Sequence, residues 1–230
     1  MNDLSKPGAV FLDFGGTLAR RRPDPWEIFI EVCSRNGIDL TRDEINRGRS
    51  EADRTHRSIQ FQTEELMEDF WLGWFRLILG SLSVGSDELA VEIFEDFKRR
   101  SEIVIYDEVA EVLRDLDRTG IPLGVVSNYN CMLEPNCRRL GIAKRFDFIL
   151  ASDLVGCGKP DPRIFTLASE LVGVDPPNCL HVGDSYGADF KGGIEAGLEA
   201  ALLDRSGSFD EPGVPTMRDL RPLVPLIREV

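Results

Sequence analysis

The sequence predicts an α/β fold in which a parallel sheet is interrupted by a long insertion of helices. A short apolar run near the start of the chain ends at Asp13, as a buried strand of a parallel sheet does. Beyond Tyr106, apolar runs alternate with amphipathic stretches, which is typical of right-handed βαβ units. Between these regions, from Trp26 to Arg100, apolar residues recur only at helical spacing. We therefore expect an α/β core whose first strand is followed by an all-helical block.

A glycine turn follows the first predicted strand, Ala9–Leu12. Asp13 ends the apolar run, and Gly15, Gly16 and Thr17 come shortly after it. Glycine lets the backbone turn sharply and approach a ligand closely. Open parallel sheets bind their ligands at the carboxyl ends of their strands. Asp13 is therefore a candidate site residue, although a carboxylate and glycines after a strand also occur in ordinary loops.

The inserted block carries start and stop signals for several helices. Arg20–Arg22 lead into two prolines, which predicts a linker whose charges are either solvated or attract an anion. The first helix begins near Trp26 and ends at Gly37, a natural stop. Thr41 and Glu44 have the spacing of a capping box, which predicts the start of a second helix.

Aromatic side chains dominate the third predicted helix, and a fourth begins at Ser86 and ends in basic residues. An aromatic stripe at helical spacing is typical of a hydrophobic core, and a cage for a substrate is the alternative. The aromatic residues of this stripe are Phe70, Trp71, Trp74 and Phe75.

Strands and helices alternate through the rest of the chain, and the segment before Met217 is loop-like. The predicted strands are Ile121–Val126, Phe146–Leu150, Asn178–Val182 and Glu199–Leu203. The predicted helices are Asp107–Arg118, Leu133–Leu140, Pro162–Val172, Asp189–Gly197 and one or two short helices within Met217–Val230, with a loop over Ser152–Pro160.

Polar side chains follow several of these strands and should meet at one edge of the sheet. Besides Asp13 they are Ser127, Lys159 and Asp184. Two carboxylates, an ammonium and a hydroxyl suit a divalent metal such as Mg²⁺ together with an anionic group. A carboxylate in such a site can attack phosphorus, with the metal and the lysine neutralising charge. Each group alone has an ordinary alternative: helix capping for Ser127 and for Asp184 with Asp189, and a solvated loop charge for Lys159.

Composition excludes several classes of partner. The 230-residue chain is 42% hydrophobic, enough for a packed core, and its formal net charge of -13 repels nucleic acid and anionic membranes. No apolar run reaches the length of a membrane span, and the N-terminus lacks a secretory core. The five cysteines form no close pair, so we expect free thiols in the cytoplasm. We expect a small phosphorylated partner and a monomer or homodimer.

The order of these motifs resembles the haloacid dehalogenase (HAD) superfamily of hydrolases, in particular its members with an α-helical cap and the branch related to rhythmically expressed gene proteins. The resemblance covers the whole chain, from the strand ending at Asp13, through Ser127-Asn128 and Lys159-Pro160, to Gly183-Asp184. It implies a Rossmann-like parallel sheet of order 3-2-1-4-5. It also implies a core over residues 1–21 and 101–230, with a helical cap over residues 22–100.

The same resemblance implies roles for individual residues. The catalytic residues would be Asp13, the nucleophile, and Lys159. The substrate-binding residues would be Ser127, Asn128, Thr17 and Gly16. The Mg²⁺ ligands would be Asp13, the carbonyl of Gly15 and Asp184, with Asp189 bracing the metal.

One position departs from the family pattern. Phosphatases of the superfamily usually carry a second Asp two residues after the nucleophile, where it acts as general acid and base, and here that position is Gly15. The chain is therefore expected to be a Mg²⁺-dependent phosphatase, with a weak or inactive phosphate-binding relative and a 2-haloacid dehalogenase-type hydrolase as alternatives. His56, on the predicted cap, could replace the missing acid or could be an ordinary solvated side chain.

Overall fold

The computed structural model describes residues 4–41, 43–48, 64–84 and 86–228 of the chain. The chain divides into two compact units. The core unit comprises Met1–Arg20 and Val104–Val230, and the helical unit comprises Arg21–Ile103. Among the described residues, no helix is both long enough and apolar enough to span a bilayer.

The core unit is built on a six-stranded sheet in which every neighbouring pair of strands is parallel. The strands of the chain are β1 Ala9–Leu12, β2 Ala19–Arg22, β3 Glu102–Ile105, β4 Leu123–Ser127, β5 Phe148–Ala151, β6 Cys179–Gly183, β7 Glu199–Leu203 and β8 Thr216–Met217. The order in the large sheet is β5-β4-β1-β6-β7-β8. This confirms the predicted 3-2-1-4-5 order and adds β8 at the edge, in a segment for which no strand was predicted.

β1 lies in the interior of the sheet, between β4 and β6. All four of its residues are apolar, which suits this position, and all four are fully buried. Leu12 pairs with Val125 of β4 on one side and with Val182 of β6 on the other. The carboxyl ends of these three strands therefore lie side by side. Asp13 follows the central one of them.

Helices connect the strands, and two of the predicted elements have a different structure. The helices are α1 Pro25–Arg35, α2 at residues 43–48, α3 Glu64–Ser81, α4 Asp87–Arg100, α5 Val109–Asp117, α6 Leu133–Arg139, α7 Ser152–Val155, α8 Pro162–Val172, α9 Gly192–Glu195 and α10 Leu223–Arg228. The predicted loop after β5 begins with the short helix α7. The predicted helix from Asp189 to Gly197 is instead a π-helical turn, Tyr186–Lys191, followed by α9.

The core beneath the site packs aromatic rings against the sheet. Phe11 of β1 meets Phe148 of β5 edge to face, with ring centroids 5.5 Å apart. A Cβ atom on Gly124 of β4 would lie 2.1 Å from the Phe148 ring, so the ring fits only because glycine stands there. Phe165 of α8 is fully buried in the same cluster. This packing fixes the strands whose ends carry the polar residues.

The helical unit has its own aromatic core. Its fully buried side chains include Phe29 of α1 and Phe75 of α3, which stack on each other. Trp74 and Phe97 complete the same cluster. The prediction that the aromatic stripe forms a core is confirmed for Trp71, Trp74 and Phe75. Thr41 and Glu44 also exchange the hydrogen bonds of the predicted capping box.

The predicted linker of arginines is wrong, because these residues form β2, which pairs with β3. The guanidinium of Arg21 lies 4.7 Å from the centre of the Phe97 ring and donates a hydrogen bond to the carbonyl of Ser101. Arg20 lies over the ring of Tyr106 at 5.0 Å. Cation–π contacts therefore involve Arg20 and Arg21, while Arg20 and Arg22 are also exposed, as the solvated interpretation expects.

Candidate active site

Asp13 is buried at the end of β1 and accepts two hydrogen bonds on one oxygen. Ser127 Oγ donates to Asp13 Oδ1 at 2.9 Å, and Lys159 Nζ donates to the same oxygen at 2.7 Å. The backbone N–H of Asp13 bonds to the Val182 carbonyl at 2.9 Å and anchors the residue to β6. Because both side-chain bonds end on Oδ1, Oδ2 is the oxygen left for chemistry.

Lys159 is buried and ion-paired, not a solvated loop charge. Its ammonium bonds to Asp13 and to Oδ1 of Asp189. Burial opposes the charge of Lys159, but these two carboxylates outweigh it and raise the pKa, so the lysine stays protonated. The side chain of Asn128 holds the lysine in place, since it accepts from Lys159 N and donates to Lys159 O, both at 2.7 Å.

Asp189 is buried among donors. Besides Lys159, it is bonded by Nε2 of His181 at 2.8 Å and by the backbone N–H of Ser185 at 2.9 Å. Burial raises the pKa of Asp189, but Lys159 and His181 outweigh burial and hold it well below the ordinary value. A Cβ on Gly183 would lie 2.2 Å from Asp189 Cγ, so the carboxylate packs directly on the end of β6.

His181 is a hydrogen-bonded core residue, because its side chain is fully buried against Asp189. Burial lowers the pKa of His181 and keeps the ring neutral. Since the carboxylate of Asp189 can only accept, Nε2 carries the proton. Nδ1 has no hydrogen-bond partner among the described residues.

Asp184 completes a cluster of carboxylates. Asp13, Asp184 and Asp189 each offer an oxygen, and these oxygens lie within 4.8 Å of one another. Asp184 is exposed, yet nearby protein atoms displace part of its hydration shell. This desolvation and the negative charges of Asp13 and Asp189 raise the pKa of Asp184 to about 7.

The charges of this cluster fit a divalent cation. Three carboxylates and one ammonium, that of Lys159, leave two negative charges in a small volume. Oxygen donors of this kind are the ligands that Mg²⁺ prefers. A bound cation would also reverse the unfavourable ionisation of Asp184.

The glycine loop after β1 packs against this cluster. Gly16 has a φ of +80°, and a Cβ there would lie 2.2 Å from Oδ2 of Asp184. Gly15 differs, because its φ lies outside the left-handed region and a Cβ would meet no atom within 4 Å. Gly16 thus requires glycine, whereas Gly15 has room for a side chain.

A family model described as haloacid dehalogenase-like hydrolase matches residues 7–197 of the chain. The chain belongs to the haloacid dehalogenase-like hydrolase family. That match spans every residue of the site described so far, from Asp13 to Asp189.

Three similar proteins illustrate the range of this family. The haloacid dehalogenase-like hydrolase domain-containing protein 3 of Mus musculus is 34% identical over 143 residues, 62% of this chain and 57% of that protein. A phosphoserine phosphatase of Thermus thermophilus is 35% identical over 134 residues, 56% of this chain and 52% of that protein. The chain thus spans little more than half of either relative. A 2-haloacid dehalogenase from Pseudomonas syringae has a solved structure with a TM-score of 0.61 and 26% identity, covering 97% of this chain and 98% of that one.

Arg205 is a member of the site that sequence reasoning missed. Its Nε donates to the carbonyl of Gly16 at 3.0 Å, and its Nη2 donates to the carbonyl of Thr17 at 2.7 Å. Nη2 also bonds to the buried carboxylate of Glu108 at 2.7 Å, and the guanidinium lies 3.5 Å from the centre of the Tyr106 ring. Arg205 therefore fixes the glycine loop that follows β1. A lone arginine after a strand gives no sequence signal of that role.

The structure brings Asp13, Lys159, Asp184 and Asp189 together, and it shows which protein groups the predicted substrate-binding residues contact. Ser127 reaches Asp13, whereas both polar side-chain atoms of Asn128 are bonded to Lys159. The side chain of Thr17 is fully buried, and its hydroxyl has no partner among the described residues. Gly16 uses its N–H and its carbonyl within the protein. Contact of these residues with a substrate stays a prediction.

The predicted substitute acid, His56, lies outside the described residues. Its role on the predicted cap therefore also stays a prediction.

Proposed function

We propose that the protein is a Mg²⁺-dependent phosphatase that acts on a small phosphorylated molecule through an aspartyl-phosphate intermediate. The observation that carries this proposal is the arrangement around Asp13, whose Oδ1 is held by Ser127 and Lys159 while Oδ2 is left for attack. The name of the Thermus relative, a phosphoserine phosphatase, supports phosphoryl transfer as the chemistry. None of the five cysteines, all of which lie in the described part of the chain, forms a disulfide, which is compatible with a reducing cytoplasm.

The proposed reaction has two displacements at phosphorus. Oδ2 of Asp13 attacks the phosphorus, an O–P bond forms, and the bond to the leaving oxygen breaks as that oxygen takes the electron pair. Water then attacks the phosphorus of the acyl phosphate, which releases phosphate and restores the carboxylate of Asp13. Lys159, which its carboxylate partners keep protonated, would offset negative charge on the transferring group. Ser127, whose hydroxyl donates to Asp13 Oδ1, would turn that donor toward the oxygens of the phosphoryl group.

The residues that would hold Mg²⁺ are Asp13, the carbonyl of Gly15 and Asp184, with Asp189 bracing the cluster through Lys159. When bound, Mg²⁺ would supply positive charge for the phosphate and for the crowded carboxylates. Asp189 is held by Lys159, His181 and Ser185, so its part would be to keep the lysine in position.

Gly15 limits the range of leaving groups that the proposed enzyme can expel. A positioned general acid contributes about 10²–10⁴-fold to the expulsion of a poor leaving group, and glycine carries no acid. The enzyme should therefore prefer leaving groups that need no proton, such as acidic phenols or carboxylates. The helical unit, predicted as a cap over residues 22–100, would select among such substrates and exclude water on closing.

The experiment that tests this function is a panel of phosphomonoesters and acyl phosphates assayed with Mg²⁺ and with EDTA. We expect turnover of at least one compound that requires Mg²⁺. Asp13→Asn should retain the fold by circular dichroism and lose turnover. Turnover by Asp13→Asn at the wild-type rate would refute the covalent mechanism, and a panel without turnover would favour a phosphate-binding relative.

A second candidate, a dehalogenase, is favoured by Gly15 and by the likeness to the Pseudomonas syringae enzyme. Halide leaves carbon without a proton, so the missing acid is no handicap for that reaction. The carboxylate cluster, with its two uncompensated charges, favours the metal-dependent phosphatase. Release of chloride from 2-chloropropionate in EDTA would reverse this preference.

A further inference from the structure

The core unit contains a cavity beside the carboxylate cluster that the proposed chemistry does not yet use. Its volume is about 350 Å³, within the range of about 300–1,000 Å³ that small-molecule sites occupy. Gly16 and Asp184 form the wall toward the catalytic cluster, and the loop after β7 forms the other side. Rings of Tyr106, Tyr186 and Phe209 line it.

Several polar groups of the cavity wall are already bonded to the protein. Arg205 donates to two carbonyls and to Glu108. Asp204 accepts from the N–H groups of Gly207 and Phe209 at 2.8 and 2.9 Å, which holds its pKa at about 2. The hydroxyl of Tyr186 donates to Glu211 at 2.7 Å. None of these groups is set up to hold a second phosphate.

The cavity wall presents aromatic rings to a ligand. The rings of Tyr186 and Phe209 lie 4.9 Å apart at an angle of 45°, and both belong to the wall. Arg205 covers the ring of Tyr106, so this third ring is fixed in place. A planar ring with little charge matches such walls, because aromatic pairs favour tilted and edge-to-face contacts at these distances.

We propose that this cavity binds an aromatic leaving group, so that the substrate class is aryl phosphates. This inference rests on the proposed phosphatase function and adds the part of the substrate beyond the phosphate. Two separate observations agree on it. The cavity shares Gly16 and Asp184 with the catalytic cluster, and Gly15 leaves the site without an acid, which a phenol leaving group tolerates better than an alcohol does.

The test compares phenyl phosphate with acetyl phosphate, which has a good leaving group but no ring, at saturating Mg²⁺. The quantity is the ratio of kcat/KM for phenyl phosphate to that for acetyl phosphate. Phe209→Ala should lower this ratio about 2- to 10-fold, the effect of one lost aromatic contact. Ser208→Trp, which fills the cavity from its exposed loop, should lower it at least as much. Phe146→Ala removes a half-buried phenylalanine outside the cavity lining and serves as the control.

Binding without turnover separates this inference from the phosphatase function. Calorimetry on the wild type should show phenylphosphonate binding more tightly than methylphosphonate, with the difference reduced in Phe209→Ala and in Ser208→Trp. If acetyl phosphate is turned over and the kcat/KM ratio is unchanged in both variants, the proposed role of the cavity is refuted and the phosphatase function stands. A cavity-dependent preference for phenylphosphonate without any turnover would support the aromatic site and refute the phosphatase.

Discussion

Gly16 and Asp184 lie so close together that a Cβ atom on Gly16 would stand 2.2 Å from Oδ2 of Asp184. Gly16 also adopts a φ of +80°, which residues with a side chain rarely adopt. The loop after β1 can therefore pack against the Asp184 carboxylate only because residue 16 has no side chain. The proposed metal site depends on this close approach.

Gly16→Ala should weaken Mg²⁺ binding by about 10- to 100-fold, the usual cost of disturbing a group that orients a metal ligand. The added methyl must displace the Asp184 carboxylate. Gly120→Ala is the matched control, because its φ of +73° imposes similar backbone strain while a Cβ there would meet no atom within 4 Å. Calorimetric titration with Mg²⁺ measures both variants. Equal affinities in the two would show that the contact with Asp184 is irrelevant.

Removing the metal should make the stability of the protein fall as pH rises toward neutrality. The pKa of Asp184 is about 7 in the folded protein and 3.8 ordinarily, so between these values the native state holds the proton that the unfolded chain releases. Asp184 thus destabilises the fold progressively over that window. In EDTA, the Tm of Asp184→Asn minus the Tm of the wild type should therefore increase as pH rises from 5 to 8.

Magnesium should cancel that trend in the wild type, because in the proposed site it would bind the ionised form of Asp184. The rise in Tm that Mg²⁺ produces should therefore grow with pH in the wild type and be small in Asp184→Asn. Thermal melts of both proteins, with EDTA and with Mg²⁺, measure this. A difference in Tm between the variants that does not vary with pH would contradict the raised pKa.

Arg205 should influence the metal through the glycine loop and stability through Glu108. Arg205→Met leaves the buried carboxylate of Glu108 without its partner, which commonly costs about 3–5 kcal/mol. The double variant Arg205→Met with Glu108→Gln should recover stability but not Mg²⁺ affinity, since the carbonyls of Gly16 and Thr17 remain unheld. Arg20→Met, which removes the other guanidinium from the Tyr106 ring, is the control. Full recovery of Mg²⁺ affinity in the double variant would reduce Arg205 to a structural ion pair.

The sheet could be predicted from the sequence because each of its long strands is an apolar run bounded by glycine or polar residues. β1 and β6 are buried throughout, and their sequences show this directly. β2 could not be predicted, because Ala19–Arg22 lacks alternation, and Arg20 and Arg21 lie over aromatic rings that are distant in sequence. β8 is only two residues long, too short for any periodic signal.

The site was predictable where its residues follow strands. Asp13, Ser127 and Asp184 are placed by the sheet itself, so knowing the strands locates them. Arg205 is placed by contacts with residues as far as 189 positions away, and no local pattern reports such contacts. The bonding of Asn128 to Lys159 was likewise hidden, because it depends on how two loops pack.

Gly15→Asp should restore a general acid and shift the enzyme toward poor leaving groups. The φ of Gly15 is outside the left-handed region and a Cβ there meets open space, so the fold should accept the new side chain without strain. Because an alcohol needs a proton more than a phenol does, the turnover ratio of alkyl to aryl phosphates should rise on the order of 10-fold or more. Rates are compared at saturating Mg²⁺, with Mg²⁺ affinity measured in parallel.

Gly80→Asp controls for the added carboxylate, since Gly80 is an exposed helix glycine with no atom within 4 Å of a Cβ. It should leave the alkyl-to-aryl ratio at the wild-type value. A flat or lower ratio in Gly15→Asp, with Mg²⁺ affinity intact, would mean that the wild-type enzyme already has a proton donor. His56 would then be the first candidate: His56→Gln should lower alkyl phosphate turnover in the wild type more than aryl phosphate turnover, because only the alkoxide depends strongly on that proton.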